Sequence, residues 1–398
     1  MQNIVIDKPY KFVAPHKSAF WPRALQTLLP IYPRKSHGLD SIEFRGVEHV
    51  RASLAGGNPV ILAPNHCRPC DPMVVGMLNR EIGRPFHYMA SWHVFMQGKL
   101  QAWIVNRLGA FSVYREGVDR EAIRAATEIL VEGKRPLVLF PEGVITRTND
   151  VLRPFMDGIS RIAAAAAKER RAQSLPQAVA IHPVAIKYRL TTDVEASLHQ
   201  TLDEIEARLC WRRRRRPLVE RTVKIGEALL ALKEMEYLGH TRSGEIAERL
   251  EYLIEHILNR LEAKWLHGRV QPSFMGRVKA LRAAILKDLL AGQLSDEERA
   301  ARWRDLADVY LAVQLSSYPP QYVRSHPTPE RLTETVERFE EDITDKARIH
   351  GRWHAVVQVG EPMLVESRTR AQACLSRRLQ ETVQRMLDAI NREREVKP

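Results

Sequence analysis

The sequence predicts an α/β fold, a mostly parallel sheet covered by helices, followed by a helical C-terminal extension. Three observations predict it. Short apolar runs alternate with helix-period segments from residue 42 to residue 230, the order expected when the crossovers of a parallel sheet are helices. The runs are continuously apolar, as in Pro59-Val-Ile-Leu-Ala-Pro64, which fits strands covered on both faces. Past residue 230 helical repeats take over, with Leu250, Leu253, Ile257, Leu258 and Leu261 on one face of a helix.

The elements follow in order. Pro59–Pro64 reads as a buried strand, Pro72–Arg80 as a helix, Phe86–Ala90 and Gly109–Tyr114 as strands. Arg120–Glu132 carries Ile123, Ala126, Ile129 and Leu130 at helical spacing, and Pro136–Phe140 is a short strand. Gly158–Arg171 is Ala-rich and helical, and Gln177–Tyr188 is a long apolar strand. Ser295 with Glu298 forms a capping box, and Thr328-Pro329 starts another helix. His354–Val359 is a strand, and Arg368–Glu393 the last long helix. The domain boundaries read from this pattern are 1–41 for an irregular, partly amphipathic segment, 42–230 for the α/β domain, and 231–398 for the extension. Val223-Lys-Ile-Gly-Glu resembles Val357-Gln-Val-Gly-Glu. Each is read as a strand ending in Gly-Glu with a helix after it, but the match is too short for a repeat.

A net charge of +13 and a pI near 9.7 imply an anionic partner, which could be a phosphate-bearing substrate, an anionic lipid surface or nucleic acid. Cys67, Cys70, Cys210 and Cys374 lack the spacing of a disulfide framework, so a reducing compartment is expected. The N-terminal MQNIVIDKPYKF lacks the apolar core of a signal peptide, and no apolar stretch is long enough to span a bilayer. Residues 19–32 carry Phe20, Trp21, Leu25, Leu28 and Leu29 near Arg23, Arg34 and Lys35. That segment suits a membrane interface as well as a helix packed on the body. The run Trp211-Arg-Arg-Arg-Arg-Arg-Pro217 suits lipid headgroups or a solvated loop between strands. Aromatics interleaved with basic residues, the mark of a nucleic-acid binder, are lacking, so nucleic acid is not expected as a partner.

The chemistry concentrates at the end of the first buried strand, in Asn65-His66-Cys67-Arg68-Pro69-Cys70-Asp71-Pro72. A histidine at the carboxyl end of a strand sits where α/β folds place their sites. Asp71 begins a helix, with Pro72 at its first position, and can turn back to His66, fixing the tautomer and leaving the other ring nitrogen to take a proton. Asp71 read alone is also an ordinary helix cap. Cys67 and Cys70 bracket the motif without the further ligands a zinc site needs, so packing is expected there and no metal. His182 is read as a core strand residue.

Three further segments fall in order behind this one: Gly109-Ala-Phe-Ser-Val-Tyr-Arg115, Phe140-Pro-Glu-Gly143 with Thr146-Arg147 just after, and Ile181-His-Pro-Val-Ala-Ile186. With the His-x4-Asp motif they resemble the four ordered blocks of the glycerolipid acyltransferases, the family of lysophosphatidic acid and glycerol-3-phosphate acyltransferases. The resemblance covers residues 42–230 and includes Leu152-Arg-Pro-Phe-Met-Asp-Gly158. It implies that His66 is the general base and Asp71 its orienting partner. It implies that Arg115 binds the acceptor phosphate, that Glu142 and Gly143 shape the acceptor pocket, and that the Pro183 block lines the site. The donor would be acyl-CoA or acyl carrier protein and the acceptor a lysophospholipid. The work would be done without a cofactor, on the cytoplasmic face of an anionic membrane. Two departures bear on the acceptor. Arg68 stands where many members have Ser, and Val144-Ile145 separate the Phe-Pro-Glu-Gly block from Thr146-Arg147, leaving the reach of Arg147 to the phosphate open. The competing expectation is a catalytically silent lipid- or acyl-carrier-binding protein of the same fold.

Overall fold

A computed structural model describes residues 8–25, 31–115, 117, 119–175, 178–212, 216–289, 294–366 and 372–395. The chain forms two compact units. One holds residues 12–113, 119–193 and 351–398; the other holds 1–11, 114–118 and 194–350. These boundaries depart from those expected at 41/42 and 230/231. The last stretch of the chain, read as part of the extension, belongs to the sheet unit.

The sheet unit runs α1 (Phe20–Leu25), α2 (Ile31–His37), β1 (Leu39–Arg45), α3 (Val47–Ala55), β2 (Val60–Pro64), α4 (Asp71–Ile82) and β3 (His87–Ser91). A 3-10 turn (Trp92–Met96), α5 (Lys99–Arg107), β4 (Ala110–Val113), α6 (Arg120–Glu132), β5 (Leu137–Val138), α7 (Gly158–Ala172) and β6 (Val179–Leu190) follow. The chain then supplies α8 (Glu195–Arg208), α9 (Leu218–Leu238), α10 (Ile246–Leu266), α11 (Phe274–Leu289), α12 (Asp296–Leu315), α13 (Tyr322–Ser325) and α14 (Pro329–Thr344) to the helical unit. It returns to the sheet unit as β7 (Trp353–Val359), β8 (Met363–Val365) and α15 (Gln372–Glu395).

The strand order is β1-β7-β6-β2-β5-β3-β4, with β8 on β6. Pairing is parallel except where β6 meets β7 and β8. This is the mostly parallel, helix-covered sheet that the apolar strands predict. Side chains alternate across a strand, and in β2 both sets are buried. Ile61 and Ala63 join a core with α6, α7 and α15, while Val60 and Leu62 join a core with α3 and α4. Two covered faces leave no polar position in the strand, which explains Val-Ile-Leu-Ala. Asp119 caps α6 by accepting from the Ala122 N–H at 2.9 Å, and Gly133 ends it in the left-handed conformation.

In the helical unit Leu253, Ile257 and Leu258 of α10 pack with Leu281 and Ile285 of α11 and Val309 of α12. The expected capping box at Ser295 and Glu298 is present, and Thr328 accepts from Arg331 N at the start of α14. Among the described residues no helix is long and apolar enough to cross a membrane.

Several local expectations change. Val223–Leu229 is not a strand; it lies inside α9. Buried Thr222, Ile225 and Leu230 recur there at helical spacing, a period that a seven-residue window cannot reveal. Its counterpart is the end of β7, which leads into β8 rather than a helix. The arginine run is flanked by α8 and α9, not by strands, and its Arg213, Arg214 and Arg215 lie outside the described residues. So do Leu28, Leu29, Gln177 and Arg368. The expected strand Pro136–Phe140 pairs only at Leu137 and Val138.

Candidate active site

Parallel pairing builds the site. β2 and β5 run the same way, with Leu62 opposite Val138, so the loops that follow them leave at the same edge of the sheet. Continuing that register brings His66 level with Glu142. The His66 backbone N–H donates to Glu142 Oε1 at 2.7 Å, and the Arg153 N–H donates to Oε2 at 2.8 Å. One buried carboxylate therefore ties the histidine loop to the chain beyond the Phe-Pro-Glu-Gly turn. β6 is also parallel to β2. The Asn65 side chain closes that side, donating to Ile186 O at 3.0 Å and accepting from Ile186 N at 2.7 Å.

The His66 side chain is 12% exposed, and its Nδ1 lies 2.9 Å from Asp71 Oδ2. Asp71 is fully buried and is the first residue of α4, with Pro72 second. It does not act as the helix cap. Oδ2 also accepts from the Arg68 N–H at 2.8 Å, and Oδ1 accepts from the Tyr188 hydroxyl at 2.6 Å. A carboxylate on Nδ1 holds the proton there and leaves Nε2 with its lone pair, the state a proton acceptor needs. The Phe140 ring lies 4.2 Å from the imidazole, centroid to centroid.

The loop after β5 returns to the same histidine. His66 O accepts from Thr146 N at 2.8 Å and from Thr146 Oγ1 at 3.1 Å. The two residues between the Phe-Pro-Glu-Gly block and Thr146 therefore do not unseat that threonine. Arg147 follows it in the left-handed region, at φ 58°. Gly143 has φ 70°, and its N–H closes the turn on Phe140 O at 3.1 Å. A Cβ there would come within 2.2 Å of Met156 Cε. The positive φ favours glycine at this turn, and a larger residue would have to displace the Met156 side-chain tip.

Burial sets the protonation behaviour of this cluster. Glu142 is pushed up to about 7 by loss of solvent, against the opposing pull of its two backbone N–H bonds. Burial raises the Cys70 thiol to about 12, and the Tyr188 hydroxyl well above its ordinary range. Cys67 and Cys70 are buried, unoxidised thiols in the core beside α4. His182 is also core; its ring contacts Gly360 O at 3.0 Å and Ser53 Oγ at 2.9 Å. Arg68 is buried with its guanidinium 3.8 Å from the Trp353 ring and 5.5 Å from that of Tyr188.

His66, Asp71, Glu142, Gly143 and the Thr146-Arg147 loop thus come together in the sheet unit. Arg115 falls in the 114–118 segment of the helical unit, near Tyr310. Sequence reasoning did not single out Tyr188 or Trp353. A lone hydroxyl at the end of an apolar strand was the available signal for Tyr188. Trp353 is brought in by a long-range strand pairing and left no local mark.

A family model described as Acyltransferase matches residues 41–187. The match ends one residue before Tyr188, and the sheet unit that carries it is completed by β7, β8 and α15, which lie outside the match. No curated protein matches the chain.

Proposed function

We propose that the chain transfers a fatty acyl group from acyl-CoA or acyl carrier protein to the hydroxyl of lysophosphatidic acid or a related glycerophospholipid. The supporting observation is the 2.9 Å contact between His66 and the buried Asp71 at the carboxyl end of β2. His66 Nε2 accepts the proton of the acceptor hydroxyl as its oxygen attacks the thioester carbonyl. The tetrahedral intermediate collapses, the C–S bond breaks, and the imidazolium returns its proton to the leaving thiolate. No covalent enzyme intermediate is required. Arg147, on the loop that holds His66, is assigned to the acceptor phosphate, which a planar guanidinium suits. Glu142 and Gly143 shape the acceptor pocket by fixing the loops around it. The protein works peripherally on the cytoplasmic face of an anionic membrane.

The test is thiol release from acyl-CoAs and acyl carrier proteins, with and without lysophosphatidic acid in liposomes. Acceptor-dependent release by the wild type that disappears in His66→Ala is the expected result. No release with any lysolipid or glycerol-3-phosphate acceptor would overturn it and leave a binding protein. A fall in acceptor affinity well beyond any fall in donor affinity is expected of Arg147→Ala; equal losses would remove Arg147 from the phosphate.

A further inference from the structure

Helix α5 is nine residues long and carries Leu100, Trp103, Ile104 and Val105, yet it buries none of its residues. Leu100 is 72% exposed and Trp103 40%. Spacings of three and four put Leu100, Trp103 and Arg107 on one face, and Met96 is exposed just ahead of them. The face continues onto α1. Trp103 meets Trp21 edge-on with centroids 5.0 Å apart, and Trp21 meets Phe20 at 5.4 Å. Phe20 is 66% exposed.

The chain that carries these aromatics is basic, and Glu132 reaches it through Lys17 at 3.3 Å. Residues 12–39 and 82–113 contain no Asp or Glu. Arg23 and Lys99 are exposed, and the Arg107 guanidinium lies 5.6 Å from the Trp103 ring. Exposed aromatic and aliphatic side chains ringed by cations match the boundary of an anionic bilayer, with apolar groups at the acyl chains and cations at the phosphates. A second copy of the chain would set these cations against themselves.

We propose that α1 and α5 form one docking face for an anionic lipid bilayer. Phe20, Leu100 and Trp103 enter the headgroup–acyl boundary, and Arg23, Lys99 and Arg107 meet lipid phosphates. The proposal rests on the acceptor being a membrane lipid, because this face would bring the enzyme to it.

The test is flotation with phosphatidylcholine vesicles, with and without phosphatidylglycerol. The wild type should float with the anionic vesicles. Leu100→Glu should lose about tenfold or more in partitioning with an unchanged melting temperature. Brominated lipid should quench wild-type tryptophan fluorescence, and less so in Trp103→Phe. Thiol release with a water-soluble short-chain acceptor should be the same in Leu100→Glu as in the wild type. Equal flotation of wild type and Leu100→Glu, or no flotation of either, would overturn the proposal. So would a lipid-free dimer that Leu100→Glu dissociates, which would make a second copy the occupant. Flotation that depends on Leu100, without thiol release from any acceptor, would uphold the docking face and remove the acyltransferase reading instead.

Discussion

Two buried glutamates, one in each unit, carry their charge differently. Glu142 of the sheet unit is 2% exposed and Glu234 of the helical unit is fully buried. Burial pushes both carboxyl groups upward. Glu142 takes its hydrogen bonds from two backbone N–H groups and stays raised, at about 7. Glu234 meets the Arg249 guanidinium through two bonds, at 2.9 and 2.7 Å, and the Arg242 N–H at 3.2 Å, so it ends below the ordinary carboxyl value. A guanidinium cancels the charge, whereas N–H dipoles fix its place and leave it only partly compensated. The helical unit repeats its solution, with Arg221 on Glu206 and Arg277 on Glu262. The sheet unit accepts an uncompensated carboxylate where that group holds the His66 loop. At these helix–helix contacts charge is paired with a guanidinium; at Glu142 it is held by backbone N–H groups beside His66, while Lys187 and Asp150 form a buried ion pair elsewhere in the sheet unit.

The comparison can be broken at several points, the largest effect first. Ending the chain at residue 350 removes β7 from between β1 and β6 and strips α15 from the core. Leu379, Val383, Leu387 and Ile390 are all buried there, and at about 1.5–3 kcal/mol each their loss rivals the whole stability of a domain. The truncated sheet unit should show no cooperative thermal melt. Glu234→Gln leaves Arg249 without its carboxylate and should cost about 3–5 kcal/mol in chemical denaturation. Activity of the molecules that remain folded should be unchanged.

Glu142→Gln turns an amide NH2 toward one of two N–H donors and should cost about 1–3 kcal/mol, with thiol release falling as well. Its pH signature is opposite to that of Glu234. Folded Glu142 binds its proton more tightly than the unfolded chain does, so its contribution to stability falls as pH rises from 4.5 toward about 7. Folded Glu234 binds its proton more weakly. Its contribution is present above 4.5 and is lost as pH falls through its lowered value. Denaturation should lose the slope between pH 4.5 and about 7 in Glu142→Gln and the slope below 4.5 in Glu234→Gln. An unchanged slope in either variant would refute the contrast.

Tyr188→Phe takes one donor from the buried Asp71 and should cost about 1–3 kcal/mol of stability. With one donor fewer, Asp71 presses its charge harder on the imidazole, and the acidic limb of the pH–rate profile should move to higher pH. Cys67, Cys70, Arg68 and Glu142 are the other titratable or charged groups around this pair. Loss of stability with an unmoved limb would make Tyr188 a packing residue only.

Much of this arrangement was legible along the chain because it is local. A five-residue apolar run followed by Asn-His announces β2 and its loop, and Asp-Pro announces α4. The mutual placement of His66 and Glu142 was half legible: the motifs gave the residues, but the register that sets them level belongs to the β2–β5 pairing. What stayed hidden depends on distant chain. Nothing near His354–Val359 says that this strand inserts between β1 and β6, and nothing near Arg68 says that it will lie against Trp353. Helix α5 escaped notice for the opposite reason. Its apolar residues look like ordinary core spacing, and only the fold shows that they are left uncovered.

On the proposed reading, His66 and Asp71 act as one unit in acyl transfer. The most direct measurement is acceptor-dependent thiol release by His66→Ala, Asp71→Asn and the double variant, side by side with the wild type. His66→Ala should lose about 10²–10⁴-fold, Asp71→Asn should also lose heavily, and the double variant should be no slower than His66→Ala alone. Losses that multiply in the double variant, or a His66→Ala protein that still transfers at the wild-type rate, would contradict it.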